Sequence, residues 1–319
     1  MSCSLVIIAC VMIILIVVLY LTKQHHKSQY TEFFDTSSQS DTNLVKYNSK
    51  EAFEYQVNIS SYFNHMSAAD LSARSTVDSP VTSAEHYKNN YLAGFLEFSN
   101  EEKSKLNDIV LKANNMLVNY PNFRDTEWKF AKISKDLEYG MPHTIGDMIV
   151  ITSEFLGKQE EYQVKTLIHE KVHVFQRIDN TATRELVGLM GFKSLTPEER
   201  RNISHDTMDR RRSNPDIDNN MYKHEETNQV LVQLYNTLSP SSLVDSKAMT
   251  FNINDENTLT PVTNMLLGIP DEVHCQLEHP FEIMACLIAE CITNAKFVED
   301  HDGNQYVVPI MNWLRKHYS

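Results

Sequence analysis

One stretch, from about Gln159 to Ile178, most constrains the fold of this chain. Its apolar residues recur at helical spacing and predict one long amphipathic helix: Val164, Leu167, Ile168, Val172, Phe175 and Ile178. The run His169-Glu-Lys-Val-His173 lies inside this helix. Because residues four apart lie one above the other on a helix face, His169 and His173 point their imidazoles at a common spot.

Two imidazoles at this spacing are the nitrogen donors that Zn²⁺ prefers, at ~2.0–2.1 Å from the metal. Glu170 projects beside the same spot, where it can take a proton from a zinc-bound water whose pKa the metal lowers to roughly 7. The pattern therefore predicts His169 and His173 as zinc ligands and Glu170 as the catalytic base. The alternative is that they are ordinary helix residues, since the chain contains 13 histidines and the spacing also arises by chance.

A β-branched strand candidate, Met148-Ile-Val-Ile-Thr152, precedes this helix. Strand and motif together resemble the zincin metallopeptidases, in which an edge strand before the motif helix binds substrate as an added strand. The overall arrangement is also similar to that of membrane-anchored zinc peptidases of large DNA viruses. That second resemblance rests on an apolar N-terminal segment, the motif, Asn214-Pro-Asp216 and a late helix that contains Glu.

A catalytic zinc site has three protein ligands and one open position, so a third ligand is needed. In the metzincin pattern Gly and then the third ligand follow the second His, but Gln176 and Asp179 stand at those positions. An unbroken helix would carry Asp179 about 240° round from His173, away from the metal. The resemblance to gluzincins instead implies a Glu from a downstream helix. Glu282 fits that pattern in the first turn of an apolar helix.

Alternatives to Glu282 remain open at this point. Glu278 also qualifies by position, and Glu290 could be either the ligand or the partner that orients a zinc-bound imidazole. Alternatively, Glu282 binds no metal and is found there because a carboxylate is favoured at the positive end of the helix dipole. Many gluzincins place an Asp four residues after the ligand Glu to orient the first His, and here that position is Cys286.

Peptide hydrolysis also needs a donor for the oxyanion besides the metal. Four residues could supply it, none with a defining position: His143, Tyr222, His224 and His274. The run Arg210 to Arg212 is most simply a solvated group of charges, and it could also hold a substrate carboxylate.

The amino-acid composition excludes one class of binding partner. With 29 Lys+Arg against 42 Asp+Glu, the formal charge is −13, which repels phosphate backbones and excludes nucleic acid as an expected partner. The five cysteines form neither a disulfide framework nor a Cys-x-x-Cys pair. We therefore expect reduced, mostly buried thiols: Cys3, Cys10, Cys275, Cys286 and Cys291.

The N-terminus carries an unbroken apolar run from Leu5 to Leu21. Its length, the absence of a basic start and the lack of a small-residue cleavage site predict an uncleaved single-pass membrane anchor. Lys23 and Lys27 follow it, which by the positive-inside rule favours a cytoplasmic over a lumenal body. The viral resemblance adds association with a virion.

These observations predict an N-terminal tip at 1–3, a transmembrane anchor at 4–22, a polar tether at 23–50 and one metallopeptidase-like domain at 51–319. The expected fold class is α+β and zincin-like. It has a small mixed sheet, an edge strand (148–152) packed on the motif helix, and a second helical subdomain. Further elements are a helix that starts with a capping box at Ser99 and Glu102, a strand at 127–133, a loop at 140–144, a mostly loop stretch at 195–222, short strands at 228–235 and 248–253, and a helix from Pro280 towards Asn294.

The leading functional hypothesis is a membrane-anchored peptidase with Zn²⁺ as its cofactor and a peptide or protein as its substrate. It would hydrolyse peptide bonds with a zinc-bound water that Glu170 activates. The alternative is a non-enzymatic membrane or virion protein that retains a zincin-like scaffold. The absence of an Asp at position 286 leaves room for that alternative.

Overall fold

The computed structural model describes residues 45–75 and 80–318. Within these residues the strands form two five-stranded sheets. The strands are β1 Val45–Tyr47, β2 Phe95–Leu96, β3 Trp128–Ile133, β4 His143–Ile145, β5 Met148–Ile151, β6 Phe192–Ser194, β7 Tyr222–His224, β8 Gln229–Tyr235, β9 Ser246–Asn252 and β10 Asp255–Pro261. The helices are α1 Lys50–Ile59, α2 Ala68–Ala73, α3 Ala84–Ala93, α4 Asn100–Met116, α5 Pro121–Arg124, α6 Glu160–Ile178, α7 Asn180–Leu189, α8 Pro197–Arg201, α9 His205–Arg210, α10 Asn264–Leu267, α11 Pro280–Thr293, α12 Ala295–Asp300 and α13 Val307–Tyr318. The mixed α+β class is confirmed.

In the described ranges, no helix is both long enough and apolar enough to cross a membrane. The tip and the anchor predicted at residues 1–22 lie outside those ranges, as does the tether up to residue 44. We therefore correct the expectation of a single-pass membrane protein, and no membrane enters the functional proposal below. The end of the predicted tether is also corrected, because β1 belongs to a sheet and pairs in parallel with β3.

The first sheet has the strand order β1-β3-β5-β4, with β2 also paired to β3. Strands β1 and β5 run parallel to β3, whereas β4 is antiparallel to β5. The turn between β4 and β5 contains Gly146 at φ 61°, and a Cβ there would meet the Gln56 side chain. In this strand order β4 lies at the edge next to β5. Strand β4 falls in the segment predicted as a loop, and the prediction that 148–152 forms the edge was wrong.

Strand β5 is buried on both faces. Ile149 and Ile151 belong to the core shared with α6, whereas Met148 and Val150 belong to an aromatic cluster that includes Phe53. A strand covered on both sides reads as a continuous apolar run rather than an alternating one. This explains why the sequence identified the strand and gave no indication of its neighbours.

The second sheet is antiparallel throughout, in the order β10-β9-β8-β7-β6. Strands β8 and β9 agree closely with the strands expected near 228–235 and 248–253. The first sheet is the small mixed sheet that was expected, but a second sheet was not predicted: β8 and β9 join three other strands in a sheet of their own. The stretch 195–222, expected to be mostly loop, also contains α8 and α9.

Helices α6 and α11 pack against each other in the largest core of the described chain. Every residue of α11 from Pro280 to Cys291 is buried. A helix that is apolar all round requires such surroundings, and between Pro280 and Cys291 only Glu282 and Glu290 interrupt the apolar surface. Helix α6 also contacts β4 and β5, so it lies between α11 and the first sheet.

A buried ionic cluster centres on Arg74, whose side chain is 2% exposed. Its guanidinium bonds the carboxylates of Asp70 (2.9 Å) and Glu138 (3.2 Å). It also donates to the backbone oxygen of Ser213 at 3.3 Å. The cluster therefore fixes the chain just before Asn214.

We expect Arg74→Met to destabilise the protein by about 3–5 kcal/mol, because the substitution leaves two buried carboxylates without their cation. The measurement is the free energy of unfolding from urea titration of the purified full chain. The control is Lys316→Met, which removes an exposed pair with Glu185 (2.7 Å) and should change stability by under about 1 kcal/mol. Equal effects of the two substitutions would contradict the importance of the buried cluster.

Candidate metal centre

Helix α6 presents the motif residues. Glu160 and Glu161 lie in its first turn and Arg177 in its last, which is the charge order that the helix dipole favours. His169 and His173 are one turn apart and face α11. The His173 side chain has no exposed surface, whereas that of His169 is 19% exposed.

The first turn of α11 presents Glu282. Pro280 occupies the start of the helix, and Nδ1 of His279 accepts from the Phe281 backbone N–H at 3.1 Å, which caps it. The Glu282 side chain has no exposed surface. The packing of α11 on α6 directs this carboxylate at the two imidazoles.

Three donor atoms form a compact triangle. Nε2 of His169 lies 3.0 Å from Nε2 of His173. Oε2 of Glu282 lies 3.3 Å from the first of these nitrogens and 3.4 Å from the second. Among the described residues, this is the one group of His, Cys, Asp and Glu side chains found to be arranged for holding a metal ion.

The triangle has the dimensions of a tetrahedral zinc site. Ligand atoms at ~2.0–2.1 Å from a tetrahedral metal lie ~3.3–3.4 Å from one another. All three separations fall within a few tenths of an ångström of that value. Oε2 of Glu282 is also buried without a hydrogen-bond partner among the described residues, a costly arrangement unless a cation is its partner. The residues present therefore fit a zinc ion.

The charges in the triangle stabilise one another. Burial acts to raise the pKa of Glu282, but the imidazoles of His173 and His169 outweigh it and hold the pKa well below its usual range. Burial acts to lower the pKa of His173. The charge of the Glu282 carboxylate, with smaller contributions from Asp216 and Glu170, outweighs that effect and raises the pKa of His173 to about 9.

Side chains around the triangle hold it in place. The other oxygen of Glu282, Oε1, accepts from Nδ2 of Asn214 at 2.7 Å. Nδ1 of His173 lies 2.8 Å from Oε1 of Gln176. Glu282 and His173 are thus each held through the atom that is not part of the triangle.

Glu170 is 3% exposed, follows His169 in the chain and is not one of the three donor groups of the triangle. Its Oε2 accepts from the Thr144 hydroxyl at 2.9 Å. Burial, followed by the nearby charge of Asp216, raises the pKa of Glu170 well above its ordinary value. The charge of His173 acts to lower this pKa, and the charge of Glu282 adds to the increase.

The outer edge of β4 is covered at Thr144. The Thr144 N–H donates to Asp216, and the Thr144 carbonyl accepts from Arg177 at 3.3 Å. Arg177 also donates to the Pro215 carbonyl at 2.6 Å. The segment Asn214 to Asp216 thus occupies the edge position where an added substrate strand would pair.

The other ligand candidates have different partners. Glu290 bonds Lys165 and, at 2.9 Å, Asn294. Asp179 caps the start of α7 by accepting from Ala182 N–H at 2.9 Å. Glu278 lies 3.5 Å from Asn214 Nδ2. Burial and the charge of Glu282 raise its pKa to about 7.

Two of the oxyanion candidates have their donors engaged. Nδ1 of His143 faces the Met141 carbonyl (2.8 Å), which can only accept, and its Nε2 faces the Tyr91 hydroxyl (2.6 Å). The Tyr222 hydroxyl donates to Asp218 at 3.0 Å. His224 packs edge-on against Phe192 and is not part of the triangle. His274 is not part of it either, and its backbone carbonyl oxygen lies 3.5 Å from Sγ of Cys286.

The arginines at 210–212 are less solvated than predicted, and two of the cysteines are not reduced. Arg210 pairs with Asp206 at 2.6 Å, and burial lowers the pKa of Arg211 to about 10, so the run is only partly solvated. Cys275 and Cys286 form a disulfide with their Cα atoms 5.7 Å apart, so the expectation of reduced thiols was wrong for this pair. Cys291 is a buried free thiol, and Cys3 and Cys10 lie outside the described ranges.

Comparison of the chain with protein-family models, with curated proteins and with solved structures gives no match. The assignment of the site therefore rests on its own geometry.

The sequence had assigned no role at the metal centre to five residues that the structure places there. They are Thr144, Gln176, Arg177, Asn214 and Asp216. Gln176 and Arg177 could have been found, because they lie one turn beyond His173 on the same helix. Thr144, Asn214 and Asp216 reach the site only through the tertiary fold. The sequence singled out Asn214-Pro-Asp216 for a family resemblance, but no local pattern gave either residue a role at the metal centre.

We expect zinc binding to release at least one proton at pH 7, because the His173 imidazole has a pKa of about 9 and must lose its proton to act as a ligand. The apparent affinity should rise about tenfold per pH unit between pH 7 and 8 and level off above about 9. Isothermal titration calorimetry in two buffers of different ionisation enthalpy measures the proton count. Affinity that does not vary with pH, with no proton released, would contradict this assignment.

Proposed function

We propose that this chain is a zinc-dependent peptidase of the gluzincin-like type, with His169, His173 and Glu282 as zinc ligands. The observation that carries the proposal is the triangle of donor atoms, with separations of 3.0, 3.3 and 3.4 Å. Two neutral imidazoles and one carboxylate are the ligand set of a catalytic rather than a structural zinc site. The set leaves one coordination position for water or substrate.

The surroundings of the triangle support a hydrolytic role. A zinc ion held there would act as a Lewis acid that polarises a scissile carbonyl and acidifies a water molecule. Glu170, beside the ligands on the same helix, would take the proton of the attacking water and deliver it to the leaving amine. The Thr144 hydroxyl fixes the orientation of this carboxyl group from 2.9 Å.

The route to the site follows from burial. Of the three ligands, only His169 has exposed side-chain surface, so substrate would approach across His169. The backbone of Thr144 is occupied by Asp216 and Arg177. A peptide would therefore not extend the first sheet at Thr144, and its position would differ from the strand addition that the zincin resemblance implies.

A second candidate function is zinc binding without catalysis. The observation that favours it is the enclosure of Glu170, which is 3% exposed behind Thr144 and the segment Asn214 to Asp216. Such a protein would bind zinc through the same three residues and hydrolyse no peptide. The two candidates are separated by assaying activity and metal content on the same preparation.

We expect Glu170→Gln to lower the rate of hydrolysis of a mixed peptide pool by roughly 10²–10⁴-fold, because it removes the base and keeps the side-chain shape. Zinc content should stay unchanged, since Glu170 is not a ligand. The control is Glu161→Gln, the same substitution at an exposed position of the same helix, which should alter neither quantity. Wild-type protein that holds zinc and cleaves nothing would favour the second candidate.

A second pair of variants tests the third ligand. Glu282→Gln should lower zinc affinity by more than ~100-fold, beyond the effect typical of residues that only orient a ligand. Glu290→Gln changes the same residue type on the same helix, away from the triangle, and should leave affinity unchanged. Competition with a chromophoric chelator measures both, and equal affinities of the two variants would refute Glu282 as a ligand.

A further inference from the structure

Gln176 connects the two helices that supply the ligands. It lies three residues after His173 on α6 and is 3% exposed. Its Oε1 is 2.8 Å from Nδ1 of His173, and its Nε2 donates to the Phe281 carbonyl at 2.9 Å. Phe281 is the residue before Glu282, so one amide contacts both a candidate ligand and the backbone next to another.

The hydrogen bonds of Gln176 select one tautomer of the neutral His173 imidazole. A backbone carbonyl only accepts, so the amide nitrogen of Gln176 must face Phe281 and its oxygen must face the imidazole. That oxygen also only accepts, so Nδ1 of His173 carries the hydrogen. In the neutral imidazole Nε2 is then the unprotonated nitrogen, and Nε2 is the atom directed at His169 and Glu282.

Other residues do not supply this orientation. Cys286, four residues after Glu282, is bonded to Cys275. Glu290 is engaged by Lys165 and Asn294. Metal-bound imidazoles generally need an acceptor on their second nitrogen, and losing that acceptor costs 10–100-fold in metal affinity.

We propose that Gln176 is a positioning residue for the metal centre. It holds His173 in the tautomer that can bind zinc, and it sets the position of α11 at Glu282. The inference rests on the proposed zinc site and extends it to a residue that contacts no metal. The side-chain oxygen of Gln176 accepts from the His173 imidazole, and its amide nitrogen links α6 to α11.

The test compares three variants of the full chain. Gln176→Met removes both hydrogen bonds at similar volume and should weaken Zn²⁺ binding 10–100-fold. Gln176→Glu keeps an acceptor facing Nδ1 and loses the donor to Phe281, so its affinity should stay within ~10-fold of wild type. The matched control is Gln163→Met, which removes a buried glutamine of the same helix that donates to the Phe155 carbonyl at 2.8 Å.

The readouts are Zn²⁺ affinity by chelator competition, the visible absorption spectrum of the Co²⁺-substituted protein, and the ¹⁵N chemical shifts of the His173 ring. We expect Gln163→Met to bind Zn²⁺ as wild type does, even where its unfolding temperature falls as far as that of Gln176→Met. We expect the Co²⁺ spectrum to change in Gln176→Met and to change less in Gln176→Glu, which keeps the acceptor for His173 and loses only the link to Phe281.

Three results would overturn the proposal. These are wild-type affinity in Gln176→Met, equal weakening in Gln176→Glu and Gln176→Met, or equal weakening in the Gln163→Met control. Should Gln176→Met fail to fold, the comparison of Gln176→Glu with wild type decides, with the His173 ¹⁵N shifts reporting the tautomer. Wild-type protein that binds no Zn²⁺ would instead refute the proposed function, and the positioning role with it.

Discussion

A carboxylate with no exposed surface faces two imidazoles where α11 packs on α6, and the other features of the site depend on this contact. A buried charge of this kind is costly unless it is paired and hydrogen-bonded. Here the imidazoles pair with one oxygen of Glu282, and Asn214 bonds the other. The apolar surface of α11 provides the packing that brings these groups together, and the polar groups determine the geometry in which they meet.

The surrounding chain keeps that geometry by a series of long-range bonds. The Arg74 cluster fixes Ser213, the next residue Asn214 bonds Glu282, and Asp216 bonds the edge strand at Thr144. Thr144 in turn bonds Glu170. Because the members of such a network hold one another in place, loss of one member should affect groups well removed from it.

The sequence was sufficient to predict the parts of the site that are set by local periodicity. The spacing of His169 and His173 on an apolar helix defines their common direction, and Glu282 stood out as a carboxylate in an apolar helix. Strand β4 was missed because three residues, His143 to Ile145, carry too little pattern to identify a strand. The partners Asn214 and Asp216 were out of reach because their contacts span 68 and 72 positions. The pairing of Cys275 with Cys286 likewise depends on how the irregular chain before α11 folds back on it.

X-ray absorption spectroscopy at the zinc K edge of the zinc-loaded full chain tests the central claim most directly. A site made of His169, His173 and Glu282 predicts only nitrogen and oxygen neighbours at ~2.0–2.1 Å, with the outer-shell scattering of two imidazoles. The Glu282→Gln variant should not give this spectrum, because it lacks the carboxylate ligand. The Glu290→Gln variant should give the wild-type spectrum. A sulfur neighbour at ~2.3 Å, or a spectrum without imidazole scattering, would contradict the claim.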